Sequence, residues 1–344
     1  MSTTLKDVAR VARVSTATVS RVINGHHSVT ERTRTHILRV IEKLGYVPDS
    51  AARSLSTGQS NTIGVLLPDL HGEFFSELIR GIDQAARHCG FHLLLSGVHG
   101  SAQETSTAVG NLRGRVDGLL IMSPYSDSAL LASPVMASIP AVVINSPTRG
   151  NSFCSLRVDN RGGAYAMVQH LVSLGHRRIV FVAGPSDNFD ANERLAGYCE
   201  ALNAFGPGLS ETVVSGDFTE DAGVRAAKEI LKFGYKPDAV FAANDAMALG
   251  CLHAFNEARV AVPDEIALAG FDDIPMARFV TPSLTTVRVP MAELGSRALQ
   301  ALAKVIAESS SSPMLTQVIQ TSLVVRSSAG ESSVVSKSHD HLEC

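Results

Sequence analysis

Apolar positions in the first 60 residues recur at helical spacing in three short groups. Leu5, Val8, Ala9 and Ala12 share one face, and Thr3 or Thr4 can cap that helix. A break at Arg13-Val14-Ser15 follows, and Ser15 can cap a second helix over 16–24, with Val19, Val22 and Ile23 apolar and Gly25 as its stop. Thr30 starts a third, whose apolar face is read as Ile37, Leu38, Ile41 and Leu44, closed by Gly45. Beyond Asn61 the pattern changes to short, nearly continuous apolar runs alternating with helical stretches. The runs are 62–67, 91–95, 118–122, 141–144, 179–183, 239–242 and 266–270. The helices between them are expected near 74–89, 102–112, 161–174, 191–204, 219–233, 245–257 and 291–307. Runs of this kind are strands buried on both faces, so the spacing predicts parallel sheets. The pattern restarts after about residue 160, which predicts two α/β lobes with a cleft.

Composition supports real cores and excludes general disorder: the 344 residues are 45% hydrophobic and 18% charged. A net charge of -3 would discourage a nucleic-acid partner if the charge were evenly spread. It is not. Residues 1–60 hold nine basic and four acidic side chains (+5), and the other 284 hold 21 and 29 (-8). A compact basic module is joined to an acidic body, so phosphate binding is confined to one end. The N-terminus lacks the apolar core of a signal peptide, and no run is long enough to span a membrane. Cys89, Cys154, Cys199, Cys251 and Cys344 are odd in number and form no CxxC pair, so neither a disulfide framework nor a zinc ribbon is expected.

Two short helices with a tight turn and a supporting third form the pattern of a helix-turn-helix. The bland alternative is a three-helix bundle with a basic surface. The outward positions of the second helix favour the first reading: Thr16, Ala17, Thr18, Ser20 and Arg21 are small or hydrogen-bonding. Small residues let a helix enter the major groove, Arg can address guanine, and hydroxyls can hold phosphates. After Pro48-Asp49-Ser50, the segment Ala51–Leu55 is too short to be a stable helix alone. It is either a tether or a hinge helix that folds on DNA with Leu55 wedged into the minor groove.

Ligand sites in open parallel sheets lie beyond the carboxyl ends of the strands. Those ends carry Asp69, Phe74, Phe75, Asn188, Asp190, Arg194, Phe218, Asn244-Asp245 and, after 266–270, Phe271-Asp272-Asp273. Aromatic faces with Asp, Asn and Arg suit a polyhydroxylated ligand, although an Asn or Asp after a strand can equally be a helix cap. No enzyme motif is present, and Asp272-Asp273 is read as a turn or ligand contact rather than a metal site; no metal and no cofactor are expected.

These residues closely resemble the lactose/galactose repressor family. The resemblance rests on Leu5-Lys6-Asp7-Val8-Ala9, Val14 through Gly25, Leu44-Gly45-Tyr46-Val47-Pro48, Ala51-Ala52-Arg53-Ser54-Leu55, Thr62-Ile63-Gly64-Val65, Asp159-Asn160 and Gly175-His176. It continues through Arg194-Leu195-Ala196-Gly197-Tyr198, Asn244-Asp245, Pro282 through Val287 and Leu323-Val324-Val325-Arg326. It implies a bacterial, cytoplasmic repressor that sits on the nucleoid when bound. The expected fold is an N-terminal helix-turn-helix head (1–47), a hinge helix and linker (48–60) and a bilobed, periplasmic-binding-protein-like α/β body (61–327), with a flexible polar tail (328–344). The first lobe would comprise 61–159 and 290–321, the second 160–289 and 322–327.

The resemblance assigns base reading to Thr16, Ala17 and Arg21 and the minor-groove wedge to Leu55. Thr18, Ser20, Asn24 and Arg53 are candidates for the DNA backbone. Phe74, Phe75, Asn188, Asp190, Arg194, Phe218, Asn244 and Asp272 match effector-cleft positions, with a mono- or disaccharide favoured. It implies a homodimer on a palindromic operator; no leucine heptad follows Arg326, so no tetramer is expected. Two departures stand out. Arg13 occupies a turn where Gly or Asn is common, and Gly72-Glu73-Phe74-Phe75 replaces the frequent Asn-Pro-Phe-Phe, bringing Glu73 near the cleft. A sugar-transport receptor would leave residues 1–60 unexplained, and a sugar-modifying enzyme would lack an acid/base pair.

Overall fold

A computed structural model describes residues 3–23, 25, 28–47, 59–98, 102–125, 139–146, 153–206, 208–308 and 316–329. Asn24, Arg53, Leu55 and the hinge segment 48–58, the Ser309–Ser312 run and residues 330–344 lie outside the described residues. Two compact units make up the chain, Met1–Ser60 and Asn61–Cys344.

The first unit is three helices, α1 (Leu5–Ala12), α2 (Thr16–Ile23) and α3 (Glu31–Leu44). Each begins where a hydroxyl can take an orphan backbone N–H. Thr4 forms a capping box with Asp7, Ser15 Oγ accepts the Thr18 N–H at 3.1 Å, and Thr30 Oγ1 accepts the Thr33 N–H at 3.4 Å. Arg13 makes the α1–α2 turn with φ 54°, a left-handed conformation costing a non-glycine residue about 1–2 kcal/mol. The core is Val8, Ala9, Ala12, Val19, Val22, Ile37 and Val40. Leu38 is not part of the apolar face: it is 49% exposed, and Val40 fills the position. The stripe that starts at Ile37 continues through Val40, Ile41 and Leu44 at i+3, i+4 and i+7, and Leu38 stands one residue off it.

The second unit contains two six-stranded sheets. The first holds β1 (Thr62–Leu67), β2 (His92–Gly97), β3 (Gly118–Met122), β4 (Ala141–Ile144), β5 (Cys154–Val158) and β11 (Thr316–Ile319), in the order β11-β5-β4-β3-β1-β2. All its pairings are parallel. The second holds β6 (Ile179–Val182), β7 (Thr212–Val214), β8 (Ala239–Ala242), β9 (Ala267–Asp272), β10 (Thr285–Arg288) and β12 (Ser322–Val324), in the order β12-β10-β9-β8-β6-β7. It is parallel except for its edge, where β12 pairs antiparallel with β10.

Between the strands run α4 (Glu73–Cys89), α5 (Ala102–Leu112), α6 (Asn160–Ser173), α7 (Phe189–Phe205), α8 (Glu220–Ile230), α9 (Asp245–Glu257) and α10 (Met291–Ala307). The chain passes between sheets from β5 to α6, from β10 to α10 and from β11 to β12. α10 returns to pack on α4. The two helices approach so closely that a Cβ at Gly81 would lie 2.0 Å from the Ala292 carbonyl oxygen, and one at Gly295 would lie 2.4 Å from that of Leu78.

Several elements differ from the sequence expectation. The short edge or near-edge strands β5, β7 and β10–β12 carry too few apolar residues to be seen as runs. β9 extends through Phe271 and Asp272 instead of ending at Gly270. The polar tail cannot start at residue 328. Ser328 and Ala329 are buried in a 3-10 turn, where Ser328 Oγ donates to the Leu268 carbonyl and accepts the Thr285 N–H. One short hydroxyl side chain thereby pairs backbone groups of two interior strands, β9 and β10.

Candidate functional site

In the helical unit, one face of α2 is free of the core. Thr16, Ala17 and Arg21 are exposed, and Thr18 and Ser20 are half-buried. The Thr18 hydroxyl lies 2.8 Å from Ser15 Oγ, so it takes part in the cap that starts the helix. Val19 and Val22, on the opposite face, are buried. Alternation of this kind presents small polar side chains and one guanidinium outward on a rigidly capped helix, the arrangement a major-groove reader requires.

In the α/β unit, a cavity of about 490 Å³ opens between the two sheets at the carboxyl ends of their strands. From the first lobe come Pro68, Asp69, Phe74, Phe75, Met122, Pro124 and Tyr125; from the second come Asp187, Asn188, Asp190, Arg194, Phe218, Asn244 and Asp272. All eight residues singled out by resemblance are therefore brought to one cavity. The sequence does not single out Met122, which closes β3, Pro124 and Tyr125, which follow it in a segment without a motif, or Asp187, which sits in a turn.

Hydrogen bonds join the lobes around this space. Asn145 Nδ2 donates to Asp190 Oδ2 at 3.1 Å, the Phe189 N–H donates to the Pro124 carbonyl at 2.9 Å, and the Met276 N–H donates to Glu73 Oε2 at 2.8 Å. The last is the role that Glu73 takes in place of a proline.

Arg194 is the centre of a buried polar network and is itself only 4% exposed. Its Nε donates to Asn160 Oδ1 at 2.9 Å and its Nη1 to the Ala243 carbonyl at 2.6 Å, while Nη2 lies 2.9 Å from Asp272 Oδ1. Its guanidinium lies over the Phe271 ring, 3.9 Å from the centroid, with Phe218 at 5.8 Å. Asp190 accepts from Asn160 at 2.8 Å as well as from Asn145. Burial pushes Asp190 up to about 7, against the pull of Arg194, and pushes Asp272 up to about 6. Burial also holds Asp245 well above the carboxylate range; its oxygens accept from Thr286 Oγ1 at 2.6 Å and the Ile274 N–H at 2.9 Å.

Both asparagines of the cavity are helix caps. Asn188 Oδ1 accepts the Ala191 N–H and Asn244 Oδ1 accepts the Met247 N–H, and Asn244 Nδ2 donates to the Phe218 carbonyl. Capping uses one end of each amide and leaves the residue on the cavity wall. Backbone strain gathers here too: Phe218 has φ 71°, Asp272 115° and Asn145 47°. Each such residue costs about 1–3 kcal/mol and persists only where its surroundings hold it. At Phe218 the hold is visible, since the ring lies 2.5 Å from where a Cβ on Gly184 would be. Only glycine at 184 lets the ring sit there. Among the described residues, no group of His, Cys, Asp and Glu is arranged to hold a metal ion, and no helix is long and apolar enough to cross a membrane.

Residues 4–49 match the family model "Bacterial regulatory proteins, lacI family", and residues 168–329 match a periplasmic binding protein-like domain. The HTH-type transcriptional regulator GalR of Escherichia coli (strain K12) is 35% identical over 339 residues, 98% of each chain. The ribose operon repressor of the same strain is 38% identical over 307 residues, 87% of this chain and 92% of that one. The crystal structure of the Lac repressor dimer bound to operator and the anti-inducer ONPF aligns with a TM-score of 0.86 at 30% identity, covering 96% of this chain and 100% of that one. A capped helix-turn-helix, a two-lobed body with an interlobe cavity and end-to-end similarity to such regulators lead to one conclusion: the chain belongs to the lacI family of bacterial regulatory proteins.

Proposed function

We propose that this protein is a homodimeric transcriptional repressor that reads a palindromic operator and is switched by a small sugar, most simply as an inducer. The observation that carries the effector half is the cavity itself. Phe74, Phe75, Phe218 and Tyr125 offer ring faces, and Asn188, Asn244 and Asp272 offer polar atoms, with Arg194 on the same wall holding Asp272, within one interlobe space of about 490 Å³. The outward face of α2 carries the DNA half, with Thr16, Ala17 and Arg21 on base edges and Thr18 and Ser20 on the backbone; Asn24 and Arg53, outside the described residues, add backbone contacts. Leu55 acts as the minor-groove wedge of a hinge helix.

Two heads of a dimer reach successive major grooves when held roughly 34–36 Å apart. A ligand that bridges the lobes changes their angle. A changed angle alters head spacing, so effector and operator affinities shift reciprocally. The protein works in the bacterial cytoplasm, on the nucleoid when bound, and binds rather than transforms its ligand. In support, the buried carboxyls at the cavity, Asp190, Asp272 and Asp245, are tied to Arg194, Asn145, Asn160 and Thr286.

The test is a mobility-shift assay of the full chain on the DNA upstream of its own gene, repeated across a panel of mono- and disaccharides. A specific shift released by one neutral sugar is the expected result. A protein that retards every DNA equally, at every sugar, refutes the reading.

A further inference from the structure

The charges around the interlobe cavity are lopsided. Among the described residues that line it, four are acidic (Asp69, Asp187, Asp190, Asp272) and one, Arg194, is basic. That one cation is committed: its three nitrogens face Asn160, the Ala243 carbonyl and Asp272. Asp69 and Asp187 are exposed and approach Tyr125 from opposite lobes. Asp69 Oδ1 accepts the Leu70 and His71 N–H groups of its own turn.

A second observation points the same way. The first turns of α4 and α7 and the N-cap of α9, Asn244, line the cavity, and a bare helix N-terminus is a ready anion site. Each of the three already carries a carboxyl in its first turn: Glu73 in α4, Asp190 in α7 and Asp245 in α9. The starts of α7 and α9 already use Asn188 and Asn244 to take an N–H group that would greet a phosphate, and the Glu73 carboxylate in the first turn of α4 disfavours a further anion there. The interior opposes further negative charge, since burial first and the Asp272 carboxylate next keep Asp245 from ionising in its ordinary range.

We infer that the cavity selects an uncharged or amine-bearing saccharide and rejects its phosphate esters and uronates, with Asp69 and Asp187 as the specificity-determining residues at the mouth. This rests on the saccharide reading above. It adds what that reading leaves open, the charge class of the effector.

Calorimetric titration of the full chain with D-ribose, D-glucose, D-galactose and cellobiose finds a neutral sugar that binds. The same titration is then run with the phosphate monoester and the uronate of that sugar. Both anions are expected to bind about 100-fold more weakly than the parent, and added salt should narrow that ratio by screening. The double variant Asp69→Asn/Asp187→Asn, which keeps an acceptor in the Asp69 turn, should narrow it by about tenfold. The salt series on the unaltered protein gives the same answer if the variant folds poorly. An anionic form that binds as tightly as its parent overturns the charge selection and leaves the saccharide reading standing. A panel in which no saccharide of either kind binds removes both.

Discussion

The outward face of α2 and the interlobe cavity are both candidate recognition surfaces, built on opposite principles. Thr16, Ala17 and Arg21 stand in solvent and carry almost none of the fold, whose core is on the other side of the helix. Arg194, Asp190 and Asp272 are buried and hold one another, so the cavity wall is also load on the fold. On an exposed face, recognition can change without stability. In a buried network the two cannot be separated, because removing one charge strands another.

The largest break in this comparison comes at Arg194. Arg194→Ala leaves Asp272 and Asp190 buried without their cation and should cost about 3–5 kcal/mol of stability, together with the effector response. Urea denaturation and sugar-released mobility shift read the two effects; loss of response with unchanged stability would show that the network is not structural.

Next is pH. Asp190 and Asp272 bind protons more tightly in the folded body than in the unfolded chain, with folded values of about 7 and about 6. Their contribution to stability is therefore whole below pH ~4 and is lost as pH rises through the two folded values. Asp7 in the head goes the other way. Its hydrogen bonds with Thr4 lower its pKa, so its small contribution is present at neutral pH and fades on acidification. Hydrogen exchange at pH 5 and pH 7.5 should show the body slackening toward the higher pH, after correction for intrinsic exchange rates, and the head unmoved. Equal behaviour of the two units would break the contrast.

Arg21→Ala sharpens it from the other side. It should cost about 1–3 kcal/mol of operator binding with less than about 0.5 kcal/mol of stability and little change on random DNA. Equal losses on both DNAs would make Arg21 a phosphate contact.

The smallest effects compare two caps. Thr30→Ala and Asn188→Ala each remove an N-cap worth about 1 kcal/mol. Only the second should also weaken sugar binding, because only Asn188 lines the cavity.

Much of the molecule could be read without coordinates where the controlling interactions are local. Thr30 and Gly45 bound α3 as expected, and Gly90 ends α4, because caps act within a few residues. The buried strands were legible as apolar runs, whereas β7 and β12, three residues each, lack any such signal. Leu38 shows the limit of reading periodicity by eye: one residue of offset separates the core from solvent. The site residues found in advance came from ordered motifs. Tyr125 and Asn145 belong to no motif and nothing local marks them, and although Asn160 and Asp272 are singled out in the sequence, their pairing with Arg194 is not.

The sequence by itself determined the basic head and acidic body, the starts and stops of the long helices and the two rounds of strand and helix. These follow from side-chain chemistry within a turn or two of the chain. The tertiary structure alone decided which groups meet across the cleft. Asn145 pairs with Asp190 and Glu73 with the Met276 N–H across the cleft, and within the second lobe Arg194 pairs with Asp272, contacts made by packing elements that come from distant parts of the chain. It also decided that Arg194 is occupied by its own carboxylate. A guanidinium that looked free to take ligand hydroxyls has most of its donors committed inside the protein, because burying it required partners already in place.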